Sequence, residues 1–209
     1  MTDGSRGRLI ALEGIDGCGK STQARLLADR LGAMLTFEPG ATSLGRHLRG
    51  LLLDSGLPPL SERAEALLMA ADRAQHVSEE VGPALEVGNW VVTDRFSGST
   101  LAYQGYGRGL EVAGLKQLVD WAAGGLGPDL NVLIEVPVAV AAARFTRDGG
   151  DRFETLGTDF HQRVADGFHR LAADHPETWT VVDGSGAIDD VAESVWSAVR
   201  DRLGVATGD

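Results

Sequence analysis

One segment, Leu12-Glu-Gly-Ile-Asp-Gly-Cys-Gly-Lys-Ser-Thr-Gln23, narrows the choice of folds more than any other part of this 209-residue chain. From Gly14 to Ser21 it fits G-x-x-x-x-G-K-[ST], a loop whose backbone N–H groups wrap a phosphate. An apolar run (8–14) precedes it and the helical pattern KSTQARLLADRL follows, which is the strand–loop–helix context the motif needs. The chain has 28 glycines and only two lysines, Lys20 and Lys116, so about 0.004 such matches would arise by chance. Gly14, Ile15, Asp16, Gly17, Cys18, Gly19, Lys20, Ser21 and Thr22 are therefore candidate contacts to the phosphates of ATP. Backbone N–H groups from Gly17 to Lys20 would cradle the β-phosphate, Lys20 would neutralise it and Ser21 would hold Mg²⁺. Cys18 fills an unrestricted position and is given no catalytic role.

Five short β-rich runs alternate with longer helical patterns, at 8–14, 33–40, 89–95, 130–136 and 178–184. Continuous apolar strands joined by helices predict an α/β fold with a five-stranded parallel sheet covered on both faces. A long helix is predicted over 61–87. No Gly/Pro stretch is long enough to divide domains, so residues 1–209 are read as one domain with frayed ends at 1–7 and 204–209. The RDGGD segment has the composition of a lid, placed at about 147–153. A net charge of −11 repels nucleic acid and anionic membranes. The apolar region from Leu130 is interrupted by Glu135 and Pro137 and is too short to span a bilayer. One cysteine and an N-terminal stretch without a signal-peptide core point to a cytoplasmic location. The scattered histidines offer no zinc spacing, so a catalytic metal would arrive with substrate.

A phosphate acceptor needs a second anion site facing the loop. Arginine-bearing candidates are Arg73 on the long helix, Asp94-Arg95 at the carboxyl end of a strand, and Arg144, Arg147 and Arg152 around the lid. Ligands in doubly wound sheets bind beyond the carboxyl ends of strands, which favours Arg95. No N-K-x-D sequence is present to read guanine, so a GTPase switch drops out.

Taken in order, EGIDGCGKSTQ, EPG (38–40), AADRAQHV (70–77), DRFSGSTLAYQGYGRGL (94–110), DRFE (151–154) and FHQRV (160–164) resemble the thymidylate kinases over nearly the whole chain. That resemblance implies a P-loop nucleoside-monophosphate kinase fold and transfer of the γ-phosphate of ATP to dTMP in dTTP biosynthesis, with Mg²⁺, by a homodimer. Position by position it places Asp16 near the sugar 3'-hydroxyl and the metal, has Glu38 order the acceptor pocket, and sets Arg73 and Arg95 on the dTMP phosphate. It also places Thr100 and Gln104 on base or phosphate, Tyr103 against the ribose 2' carbon, Asp94 behind Mg²⁺, and adenine in the 183–188 loop. Three positions depart from the family pattern: Met69 stands where phenylalanine usually stacks on thymine, Phe37 and Ala41 flank EPG in place of arginine and glycine, and Gly17 replaces the basic residue of one family type. The last departure assigns the phosphoryl cations to the lid of the bacterial type, Arg147 with Arg152. A kinase for another nucleoside monophosphate or a deoxynucleoside, and a non-catalytic ATP-binding regulator, are the alternatives, separated by acceptor-dependent ADP release.

Overall fold

The computed structural model describes residues 6–144, 152–153 and 156–205. In chain order its elements are β1 (Leu9–Glu13), α1 (Lys20–Leu31), β2 (Met34–Phe37), α2 (Ser43–Leu53), α3 (Glu62–His76), α4 (Gly82–Glu86), β3 (Val91–Asp94), α5 (Ser97–Thr100), α6 (Val112–Ala122), β4 (Leu130–Glu135), α7 (Val138–Arg144), α8 (Thr158–Asp174), β5 (Trp179–Asp183) and α9 (Ile188–Leu203). Each expected strand is present. The second stops at Phe37, short of its expected end at 40, because the following EPG turns away from the sheet and Pro39 has no N–H to continue a ladder.

All strand pairs are parallel, in the order β2-β3-β1-β4-β5. Every residue of β1 is buried, as expected of a strand covered on both faces. Ile10 and Leu12 cluster with Ala24, Leu27, Val195 and Val199 from α1 and α9, while Leu9 and Ala11 cluster with Val81, Leu85, Phe96 and Ala123. The alternation follows from the two-residue period of a strand. Chain connections leave β1 and β3 in opposite directions across the sheet, so a crevice opens beyond their carboxyl ends. The register places Leu12 opposite Asp94 and Asp94 opposite Phe37, which brings the ends of β1, β2 and β3 to one edge of that crevice.

The helix expected over 61–87 is continuous in path but not in winding. Between α3 and α4, residues Val77–Val81 form a π-helical turn in which the Gly82 N–H donates to Val77 O. A second π turn, Leu101–Gly107, follows α5, and the Arg108 N–H donates to Tyr103 O at 2.9 Å. Such turns insert one residue into a helix and re-aim side chains, often at functional sites. Among the expected frayed residues, the Gly7 N–H donates to Leu85 O at 2.9 Å and Gly204 caps α9 through Arg200 O. Residues 1–5 and 206–209, and lid residues 147–151, lie outside the described residues.

Candidate active site

The carboxyl end of β1 runs directly into the phosphate-binding loop, whose Lys20 opens α1. Lys20 is buried, with its ammonium 3.4 Å from Ile15 O and 3.4 Å from Asp16 Oδ1. Gly17 adopts φ +79°, and a Cβ there would collide with the Ala141 carbonyl. This loop therefore has no room for a basic residue at 17, for the steric reason that α7 packs against it. Arg144, at the end of α7, donates to Gly17 O and Cys18 O on one side and to Gly184 O at 3.2 Å on the other. It ties the loop to the 183–188 segment. Burial pushes the Cys18 thiol up from its ordinary pKa, so it stays protonated, in keeping with a packing role.

Asp94 and Ser21 line the same cavity as Asp16, Lys20, Arg49 and Arg95, a space of about 370 Å³. Asp94 Oδ1 is buried there without a hydrogen-bond partner. A hydroxyl and an unpaired carboxylate oxygen lining one cavity fit a hard, partly hydrated divalent cation such as Mg²⁺. Asp16 fits a metal less well, because both its oxygens are engaged: Oδ1 by Arg95 and Lys20, Oδ2 by the Tyr103 hydroxyl at 2.7 Å. Burial acts to raise the Asp16 pKa, but Arg95 and then Lys20, helped by the Tyr103 hydrogen bond, outweigh it and hold the carboxyl well below its usual range. Among the described residues no group of three or more His, Cys, Asp or Glu side chains could hold a metal by itself.

A second cavity, of about 100 Å³, brings together all eight residues that the resemblance places on the acceptor: Asp16, Glu38, Met69, Arg73, Arg95, Thr100, Tyr103 and Gln104. Three buried networks shape it. Glu38 takes Arg73 Nη2 at 2.7 Å and His76 Nδ1 at 2.9 Å, while Arg73 Nη1 donates to Thr100 Oγ1 at 3.1 Å. Asp72 Oδ1 accepts from the Gly40 N–H at 3.0 Å and pins the EPG turn to α3. Glu65 accepts Gln104 Nε2 at 2.9 Å and both Nε and Nη2 of Arg108. Tyr103 is buried edge-on among Phe153, Phe160 and Phe168, with ring centroids 5.9–6.2 Å apart, and Arg95 lies over its ring at 4.9 Å. The two cavities share Asp16, Glu38, Arg49 and Arg95. An anion in one and an anion in the other would meet at those side chains.

Arg147 lies outside the described residues. The Arg152 backbone N–H donates to Leu53 O, and its Nη2 donates to the carbonyls of Asp54, Leu57 and Pro58, so in this structure the guanidinium is held by the loop after α2. Sequence reasoning passed over four residues that line or support the site. Arg49 and Phe153 line cavities, and their signals were an arginine on the α2 face and an aromatic in DRFE. Glu13 and Ser99 lie behind Arg95, and their signal was an acidic residue closing an otherwise apolar strand run. Burial pushes Glu13 up to a pKa of about 7, against the hydrogen bond from Ser99, the Arg95 charge and the N–H groups of Phe96 and Ser99.

The profile of the thymidylate kinase family matches residues 12–195. The thymidylate kinase of Synechococcus sp. (strain JA-2-3B'a(2-13)) is 47% identical over 203 residues, covering 95% of this chain and 97% of the relative. That of Desulfovibrio desulfuricans is 46% identical over 207 residues, covering 93% and 95%. The crystal structure of thymidylate kinase from Ehrlichia chaffeensis superposes with a TM-score of 0.78 at 31% identity, covering 93% of this chain and 99% of that one. Matched in sequence and in fold over nearly its full length, this chain belongs to the thymidylate kinase family.

Proposed function

We propose that the protein transfers the γ-phosphate of ATP to dTMP, giving ADP and dTDP, by direct in-line displacement. The observation that carries this reading is the wall shared by the two cavities, where Asp16, Glu38, Arg49 and Arg95 face both the phosphate-binding loop and the acceptor pocket. An oxygen of the acceptor phosphate forms the new P–O bond as the bond from the γ-phosphorus to the bridging oxygen of ADP breaks. Proteins contribute to such a reaction mainly by position and charge. Lys20 and the N–H groups of the loop hold the β- and γ-phosphates, and Arg95 holds the acceptor phosphate. Arg73, paired with Glu38 and lining the same cavity, is the second cation for the acceptor phosphate. Mg²⁺, held through Ser21 and Asp94, would neutralise charge on the phosphates. Arg147 supplies a lid cation, a role that Gly17 cannot fill; Arg152 reaches the phosphates only by leaving its carbonyls. Tyr103 excludes a 2'-hydroxyl, and Met69 with Phe153 borders the base.

We propose a homodimer, the assembly that the resemblance implies. Leu67 on α3 and Trp121 on α6 are 57% and 80% exposed on helices that pack together, apolar surface suited to a second copy. A cytoplasmic location agrees with the acidic composition, and no helix of the described residues is long and apolar enough to cross a membrane.

A coupled ADP-release assay with dTMP, dUMP, the ribose analogue of dTMP, dCMP and AMP tests the reading. Turnover is expected with dTMP first. Faster turnover of dCMP or AMP would assign the chain to another acceptor, and nucleotide binding without acceptor-dependent ADP release would make it a regulator.

A further inference from the structure

Glu13 closes β1, and Ser99 lies in α5; neither touches a phosphate in the transfer described above. Both are buried, Glu13 completely. Glu13 Oε1 accepts the N–H groups of Phe96 at 3.0 Å and Ser99 at 3.1 Å, and Oε2 accepts the Ser99 hydroxyl at 2.5 Å. A serine hydroxyl has one proton. With Glu13 ionised, above its pKa of about 7, that proton points to Glu13 and the lone pairs of Ser99 Oγ are left for Arg95, whose Nη1 donates to it at 3.0 Å and to Gly14 O at 3.1 Å. Nη2 of the same guanidinium is held by Asp16 and by the Tyr103 hydroxyl.

The backbone points the same way. Among the described residues Arg95 is the one non-glycine residue at positive φ, +76°. Such a conformation is strained for a residue with a side chain and persists only where its surroundings hold it. Here the Arg95 N–H donates to Leu12 O at 3.0 Å, Thr93 Oγ1 donates to Arg95 O at 2.8 Å, and the next turn is fastened to Glu13. Gly98 packs close against the same carboxylate: a Cβ there would sit 2.8 Å from Glu13 Oε1 and 2.8 Å from the Trp179 ring.

The geometry assigns Glu13 and Ser99 as positioning residues for the acceptor-side guanidinium: Glu13 orients the Ser99 hydroxyl and fastens the turn after Arg95, and Ser99 aims Arg95 Nη1 across the loop. The assignment rests on the reading of Arg95 as the ligand of the acceptor phosphate.

A double-mutant cycle of Ser99→Ala and Arg95→Ala in the full chain tests it. Ser99→Ala is expected to lower kcat/KM for dTMP roughly tenfold, the size of one hydrogen bond to a charged group, while KM for ATP stays within about twofold. In the Arg95→Ala background the same change should cost less than about twofold. An equal cost with and without Arg95, or no cost, overturns the assignment. If Arg95→Ala itself leaves dTMP turnover intact, the reading of Arg95 fails, and the crystal structure of Ser99→Ala decides the positioning alone. A guanidinium displaced from Gly14 O supports it, and one left in place overturns it. Glu13→Gln, where it folds, should share the loss, and adding Ser99→Ala to it should cost little more; additive losses count against the chain from Glu13 to Arg95.

Discussion

The phenolic oxygen of Tyr103 joins three partners: the Asp16 N–H donates to it at 3.1 Å, Arg95 Nη2 donates at 3.1 Å, and it donates to Asp16 Oδ2 at 2.7 Å. Ring and hydroxyl therefore have separable duties. Tyr103→Phe should keep the ring and so keep discrimination against the ribose analogue, while kcat for dTMP falls about tenfold from loosened Asp16 and Arg95. Tyr103→Ala should narrow the ratio of kcat/KM between dTMP and its ribose analogue, and it empties an aromatic cluster at a cost of about 3–5 kcal/mol in stability. Steady-state kinetics on both acceptors, with melting curves, check the pair; an unchanged ratio in Tyr103→Ala would make the ring a core residue only. Glu13 leads to a pH prediction. Its folded-state pKa of about 7 exceeds the ordinary 4.5, so the folded protein keeps a proton that the unfolded chain has released. That stabilisation is complete below about 4.5, declines as pH rises and is gone above about 7. Relative to Glu13→Gln, the wild type should therefore lose stability between those pH values, by an amount approaching about 3 kcal/mol. Denaturant melts of the two proteins at pH 5 and pH 8 measure it. Asp72, raised to about 6 chiefly by burial and next by Glu38, has the same sign and is common to both proteins.

One buried carboxylate on α3 ties that helix to the π turn between Leu101 and Gly107 and to the Arg108 that follows it. Glu65 is 1% exposed, and its charge is balanced by Arg108. Removing a partner from a buried pair costs more than removing both. Arg108→Ala is expected to destabilise by about 3 kcal/mol, and Arg108→Ala with Glu65→Leu by less; thermal unfolding of the two variants compares them. The lid carries the other prediction at this scale. A loop with no room for a side chain at Gly17 needs a cation from elsewhere, and Arg147 precedes Gly149 and Gly150 in the lid sequence. Cations that reach the phosphoryl group in the transition state contribute about 10³–10⁵ in kcat in related chemistry. Arg147→Ala should lower kcat toward the smaller of these factors with little change in ATP-analogue affinity, and the double variant with Arg152→Ala should be slower still. A loss below about threefold in both single variants would leave Lys20, Mg²⁺ and Arg95 to steady the group alone.

At the scale of the molecule, both cavities open beyond the carboxyl end of one sheet, so filling them should stabilise the whole. ADP and dTMP together, each at about 100 times its Kd, should raise the unfolding free energy by about 5 kcal/mol, at about 2.7 kcal/mol per ligand, within a single transition. Calorimetry with and without ligands checks this, and two separately shifted transitions would contradict the reading as one domain. Much of this architecture was legible in the chain, because the signals are local. Apolar runs of strand length, helical periods between them and glycines at fixed spacing act over a few residues, so all five strands and the loop from Gly14 to Ser21 could be read directly, and a recurring order of short motifs pointed to eight residues that line one cavity. What the chain alone could not show depends on partners far away in sequence. The π turn that re-aims Tyr103 and Gln104 has no periodic signature and exists only where α6 and α8 pack beside it. The engagement of both Asp16 oxygens by Arg95, Lys20 and Tyr103 depends on contacts spanning as many as 87 residues. The reach from Glu13 through Ser99 to Arg95 crosses 86 residues of sequence in a single hydrogen bond. Residue type and spacing determine which groups the chain carries; their charge states and aims are decided by burial and by neighbours that only the parallel order β2-β3-β1-β4-β5 brings together.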